Sequence, residues 1–216
     1  MPGQYYIYIP FNDAGFQREA DNWGTMYIAY LAQQIVPQGT NANINVAGIK
    51  AGISPNPLDQ AILAHPNARK IPRPCVHGTG TTTSIASAGP HDTIYIMCHG
   101  GPNAMFVYDN QNHGIDAGTL VARMIADHVP RTHQHFKLWA CQAANGLIPF
   151  AERLHKTMVS VPHTDGRMPF PNARLTAYTK SLKTVNPRTG HKKAIIKGFF
   201  GNESDARASD YARVFV

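Results

Sequence analysis

The chain has 216 residues, 43% hydrophobic and 15% charged, with a mean hydropathy of −0.27 and a formal net charge of +7. That composition supports one sizeable core and excludes a disordered chain. No apolar run reaches the about 18–20 residues of a membrane helix, and three widely spaced cysteines exclude a disulfide framework.

Residues 5–10, Tyr-Tyr-Ile-Tyr-Ile-Pro, are β-rich and end on a proline, which predicts a first strand. A polar loop is expected over 11–20. Trp23, Met26, Tyr27, Tyr30, Leu31 and Ile35 then recur at helical spacing over 22–36, and Pro37 closes that helix. Residues 44–53 read as a second strand, although Gly48 and Gly52 weaken it. Residues 57–64 read as a short helix with proline in its first turn. The stretch 65–91, rich in Pro, Gly, Thr and Ser, is expected to be a long irregular connection.

Residues 93–98, Thr-Ile-Tyr-Ile-Met-Cys, form a nearly continuous apolar run, as in a strand buried on both faces of a parallel sheet. A helix is predicted over 116–129, a strand over 136–140 and a helix over 147–158. Residues 174–178 are a further strand. Residues 182–185 and 194–200 flank Asn-Pro-Arg-Thr-Gly, a hairpin signal. Residues 212–216 suit an edge strand. Strands alternating with helices predict a single α/β domain over 1–216, with a mostly parallel central sheet flanked by helices and a C-terminal hairpin.

In such sheets functional groups gather beyond the carboxyl ends of the strands. The strand over 93–98 runs into His99-Gly100-Gly101, and the strand over 136–140 runs into Cys141. One helix lies between them, as a crossover between parallel neighbours requires. Adjacent strands lie roughly 4.8 Å apart, so the two side chains could meet. A free thiol, with a pKa near 8.5, is only a few per cent thiolate at neutral pH, and a neighbouring imidazole activates it. Backbone amides must then hold the oxyanion. Gly100, with room beside its N–H, and Cys141 are the expected donors.

The stretches Tyr95-Ile-Met-Cys-His-Gly100 and Leu138-Trp-Ala-Cys-Gln142 resemble those of the caspase-like (clan CD) cysteine peptidases, a group that includes bacterial effector and toxin self-processing domains. The caspase signature is Gln-Ala-Cys-(Arg/Gln/Gly)-Gly, with its histidine about 50 residues upstream. Here Ala-Cys-Gln agrees, the flanking Gln and Gly do not, and His99 lies 42 residues before Cys141. The resemblance covers about residues 90–160. It implies a caspase-like fold, Cys141 as nucleophile, His99 as general acid/base, and a Cys-His dyad that needs no third residue. It further implies a thiol protease that hydrolyses protein or peptide substrates through a thioester, with autoprocessing.

Trp139 shares a side of its strand with Cys141 and reads either as core or as a wall of the substrate pocket. It stands where caspases carry a glutamine, which argues against aspartate specificity. The resemblance places further substrate-binding residues at Tyr178 and Thr179. Asp13, Glu19 and Asp21, expected on the loop after the first strand, are read as solvated or as recognising a basic side chain. Asp92 lies at the wrong end of its strand to join the dyad. Cys98 is expected to be a buried thiol on the opposite face, and His133 and His135 to be exposed. Cys75 and His77 lack a second closely spaced pair, so no metal site is expected, nor any cofactor.

The basic excess is dispersed, densest over 188–197, and nucleic acid is not an expected partner. The residues 1–4 lack the basic-then-apolar pattern of a cleaved secretory signal, so the expected location is the cytoplasm, or outside the cell by a signal-independent route. A self-cleavage site is best tolerated in loops such as 65–91 or 162–172. The same residues leave open an acyltransferase or deamidase, and a catalytically inactive binding module.

Overall fold

The structure is a computed structural model that describes residues 3–37, 43–79, 85–185, 192–197 and 203–216. A six-stranded sheet dominates it, in the order β11-β7-β6-β3-β1-β2. Its strands are β1 (Tyr5–Ile9), β2 (Arg73–Val76), β3 (Thr93–Met97), β6 (His135–Trp139), β7 (Arg174–Tyr178) and β11 (Ala212–Phe215). All pair in parallel except β11, which runs antiparallel on the edge beside β7. The predicted α/β architecture with a mostly parallel central sheet is therefore present.

The central strands are apolar because both of their faces are covered. Ile7, Tyr95, Lys137 and Thr176 form one row across four strands. On that face lies α1 (Ala14–Ile35), whose Trp23 ring packs 4.9 Å from that of Tyr95 and 5.4 Å from that of Trp139. On the other face, α4 (Ala117–Ala126) ends at Asp127, which accepts a 2.7 Å hydrogen bond from the Tyr8 hydroxyl. Beyond α5 (Phe150–Ser160), Phe170 packs edge-on against Phe136 with ring centroids 5.1 Å apart. Leu120, Met124, Leu154 and Met158 of these helices are buried. Truncating any one to alanine is expected to cost about 2–5 kcal/mol.

The chain moves outward from β1 to β2 through α1, then crosses back and continues through β3, β6 and β7 on the other side. The order therefore reverses between β1 and β3. Ligand crevices of open α/β sheets form at such a point, beyond the carboxyl ends of the strands. β3 leads to His99 there, and β1 leads to Asp13.

Several elements differ from the sequence expectation. Residues 46–51 are a helix, α2 (Val46–Ala51), not part of a strand. Asn45 caps it by accepting from the Gly48 amide at 3.0 Å, and Gly52 ends it with a φ of 72°. α1 begins at Ala14 because Asp13 caps it, so most of the expected polar loop is helical. α3 (Pro57–Ala64) is as predicted. The supposedly irregular 65–91 contains the edge strand β2, whose Arg73 and Pro74 hide its strand character. α5 starts at Phe150, leaving Leu147 and Ile148 outside it.

Between β3 and α4 stands a small hairpin, β4 (Val107–Tyr108) and β5 (Gly114–Ile115). The C-terminal hairpin is part of a three-stranded antiparallel sheet, β8 (Ser181–Val185), β9 (Lys192–Lys197) and β10 (Glu203–Arg207). Its turn, residues 186–190, lies outside the described residues, as do residues 80–84 and 198–200 of other predicted segments. No helix among the described residues is long and apolar enough to cross a membrane.

Candidate active site

Met97 of β3 is the register partner of Trp139 of β6. Side chains alternate along a strand, so two residues further on His99 and Cys141 come off neighbouring strands on the same side. The two loops press together. A Cβ on Gly100 would stand 3.0 Å from the Cys141 carbonyl oxygen and 3.1 Å from the Ala140 Cβ, so only glycine fits without displacement. His99 is exposed and Cys141 half-buried. Both line one cavity of about 150 Å³, together with Phe16, Glu19, Met97, Cys98, Trp139 and Leu182.

Immediately after Cys141 the backbone turns sharply. Gln142 has a φ of 53°, a left-handed conformation that costs a non-glycine residue about 1–2 kcal/mol. Hydrogen bonds from Gln142 N–H to the Lys180 carbonyl at 3.2 Å and from Ala144 N–H to the Tyr178 carbonyl at 3.0 Å hold this turn. The Leu182 N–H donates to the Cys141 Sγ at 3.4 Å. Among the described residues, neither the Gly100 N–H nor the Cys141 N–H has a hydrogen-bond acceptor.

His99 is held from three directions. Its backbone exchanges hydrogen bonds with Tyr108 of the β4–β5 hairpin, at 2.9 and 3.0 Å. The Phe16 ring lies against the imidazole with centroids 4.8 Å apart. The Asn110 Oδ1 lies 2.7 Å from Nε2. Asn110 is itself fixed by Asp13, whose Oδ1 accepts from its Nδ2 at 2.6 Å and whose Oδ2 accepts from its N–H at 3.1 Å. With the amide so oriented, Asn110 Oδ1 is the acceptor and Nε2 carries the proton. Nδ1 is then the basic nitrogen.

Asp13 serves two elements at once, because its Oδ1 also caps α1 by accepting from the Phe16 N–H at 2.9 Å. Burial pushes its carboxyl upward, but the N–H donors of Phe16 and Asn110 outweigh that and hold it below the usual carboxylate range. Asp109 shapes the hairpin turn that presents Asn110, accepting from the N–H groups of Gln111 and His113, both at 2.8 Å. Neither Asp13 nor Asn110 was expected to support the histidine. Nothing in the sequence links positions so far apart, and the polar residues around Asn110 read as ordinary turn chemistry.

The other predicted residues are placed as follows. Trp139 is buried and walls the cavity beside Cys141. Tyr178 packs edge-on against Trp139, with centroids 5.4 Å apart, and lines a different, larger cavity of about 410 Å³. Thr179 is engaged elsewhere, its N–H and hydroxyl both donating to the Tyr211 carbonyl. Of the acidic residues after β1, Asp21 pairs with Lys50, while Glu19 lines the Cys141 cavity. Burial raises the Glu19 carboxyl, and the charge of His99 partly opposes this. Asp92 ties down the start of the sheet by accepting from the Gln4 and Gly89 N–H groups.

Cys98 is buried, and burial pushes its thiol far above the ordinary range. His77 lies 2.6 Å from Asp127, while Cys75 is buried. His133, expected at the surface, is instead buried, with its ring nitrogens 3.0 and 3.1 Å from the Gly89 and His135 carbonyls. Those two carbonyls hold in place a ring that its position ahead of a strand suggested would face water.

The larger cavity holds a feature absent from the sequence reading. The Lys192 ammonium lies 4.1 Å from the centroid of the Tyr95 ring and 4.9 Å from that of Trp23. It also lies 2.5 Å from the Tyr95 hydroxyl. Burial, aided by the charges of Lys137 and Lys70, lowers its pKa well below the ordinary lysine range. The Trp139 ring centroid lies 6.0 Å from this ammonium, and the same side chain lines the Cys141 cavity.

In comparison with known proteins, no family model and no curated protein matches the chain.

Proposed function

We propose that this protein is a caspase-like cysteine peptidase that hydrolyses peptide bonds through a thioester. The observation that carries the reading is that His99 and Cys141, each two residues beyond the register partners Met97 and Trp139, line one cavity. The basic Nδ1 of His99 takes the Cys141 thiol proton, and the sulfur attacks the substrate carbonyl carbon. The Gly100 and Cys141 N–H groups receive the developing oxyanion, an interaction worth about 10²–10³ in rate per donor. The imidazolium gives its proton to the departing amine, and the C–N bond breaks. Water, deprotonated by His99, then hydrolyses the thioester.

Asn110 and Asp13 enter this reading as positioning residues. Throughout the cycle Asn110 Oδ1 accepts a hydrogen bond from the Nε2–H and leaves Nδ1 free for the reacting atoms. Apolar walls from Phe16, Met97, Trp139 and Leu182 favour a compact apolar side chain before the scissile bond. The test is reaction with a panel of peptidyl electrophiles, the modified thiol being located by mass spectrometry. Cys141 is the expected adduct, absent from Cys141→Ala and slowed in His99→Ala. Modification at Cys75 or Cys98 instead, or none, removes the reading.

A further inference from the structure

Four of the nine exposed large apolar side chains among the described residues lie on the two loops that leave the candidate centre. Met105 and Phe106, on the loop after His99, are 58% and 41% exposed. Leu147 and Ile148, on the loop after Cys141, are 95% and 50% exposed. Both loops are free of charge, with no acidic or basic residue from Gly100 to Tyr108 or from Gln142 to Ala151.

These side chains are not on slack segments. Asn103 N–H donates to the Asn145 carbonyl at 3.1 Å, and the Leu147 N–H donates to the Asn103 Oδ1 at 2.9 Å. Between them Gly146 has a φ of 118°, and a Cβ there would lie 2.0 Å from the Asn103 Oδ1. The loops are therefore stitched together, and the stitch fixes the Leu147 backbone while leaving its side chain almost wholly in water. On the chain after Phe106, Tyr108 is locked to His99. Holding large apolar groups in water against a rigid frame is unfavourable unless something covers them.

The chemistry says which part of a substrate comes here. His99 protonates the departing amine, so the peptide after the scissile bond runs on the histidine side. Leu182 lines the Cys141 cavity, and its N–H donates to the Sγ at 3.4 Å. We propose that Met105, Phe106, Leu147 and Ile148 form a subsite for uncharged, large apolar residues immediately after the scissile bond. This rests on the peptidase reading above and adds to it the substrate's downstream half.

The experiment uses the full chain and peptides identical before the scissile bond, carrying Leu-Phe, Ser-Gly or Asp-Glu after it. The wild type is expected to cleave the Leu-Phe peptide with a kcat/KM at least about ten-fold above the other two. A Phe106→Ser/Leu147→Ser variant is expected to lose that ratio. Peptidyl electrophiles that end at the scissile carbonyl carry no downstream residues, so labelling of Cys141 in the same samples reports the centre separately. Equal cleavage of all three peptides by labelled-competent wild type overturns the subsite alone, as does a ratio that survives in the variant. A wild-type dimer that the two substitutions dissociate also overturns it, by making the patch an interface between copies. Absence of both labelling and cleavage overturns the peptidase reading, and the subsite with it.

Discussion

The Asn110 carbonyl oxygen lies 2.7 Å from the Nε2 of His99, and that contact decides which imidazole nitrogen is free to act. The side-chain amide cannot flip to offer its nitrogen instead, because that nitrogen already donates to Asp13 at 2.6 Å. A line of polar groups thus runs from the start of α1 through the β4–β5 turn to the histidine, joining three segments at one sheet end.

Asn110→Ala removes the acceptor and frees the ring to rotate and exchange tautomers. Misplacement of about 1 Å costs roughly 100-fold in rate. We expect kcat to fall by that order with KM little changed. Steady-state kinetics with a cleaved peptide check this. An unchanged kcat means Asn110 only shapes the loop.

Asp13→Ala removes both the cap of α1 and the grip on Asn110. Loss of the cap costs about 1 kcal/mol of stability, and activity is expected to fall as in Asn110→Ala. The pH dependence has a definite sign. Because the Asp13 carboxyl is depressed in the folded state, its stabilising contribution is complete above its unfolded value of about 3.9 and is lost as pH falls through the lower folded value. The stability gap between wild type and Asp13→Ala, measured by denaturant titration, should be flat at neutral pH and close below about pH 4.

Gly100→Ala places a methyl 3.0 Å from the Cys141 carbonyl oxygen. The His loop must shift, and with it the Gly100 N–H that the peptidase proposal assigns to the oxyanion. A fall of about 10²–10³ in kcat is expected, with a smaller effect on the thermal unfolding midpoint. Equal losses of folding and activity would mean that Gly100 matters for packing alone.

Lys192→Met replaces the amine among the rings with an apolar chain of similar length. A lysine whose pKa is lowered by folding makes the wild type gain stability as pH rises from the folded value toward about 10.4. Lys192→Met lacks this rise. Its advantage over wild type is expected to shrink as pH rises from about 7 to about 10, as denaturant midpoints can measure.

The sequence was most legible where burial dictates composition. Thr93–Met97 is covered on both faces, so its apolar run could be read directly, as could the alternating strand that ends before Cys141. It was least legible where short-range caps decide the outcome. Asn45 and Gly52 turn a strand-like stretch into α2, and Asp13 starts α1 ahead of the first apolar repeat. Arg73 and Pro74 disguise β2, which tolerates a proline because it lies at the sheet edge. The support of His99 was invisible for a different reason. Asp13 and Asn110 are separated by 97 positions, and only the closure of the fold turns a helix cap and a turn residue into one latch.

The most direct measurement is the site and rate of thiol modification by a peptidyl electrophile, followed by mass spectrometry of the intact chain and its fragments. One adduct is expected, on Cys141, formed at least about 100-fold more slowly in His99→Ala, with Cys75 and Cys98 untouched because both are buried. A Cys141 that reacts no faster with His99 present than without it would contradict the pairing on which the rest is built.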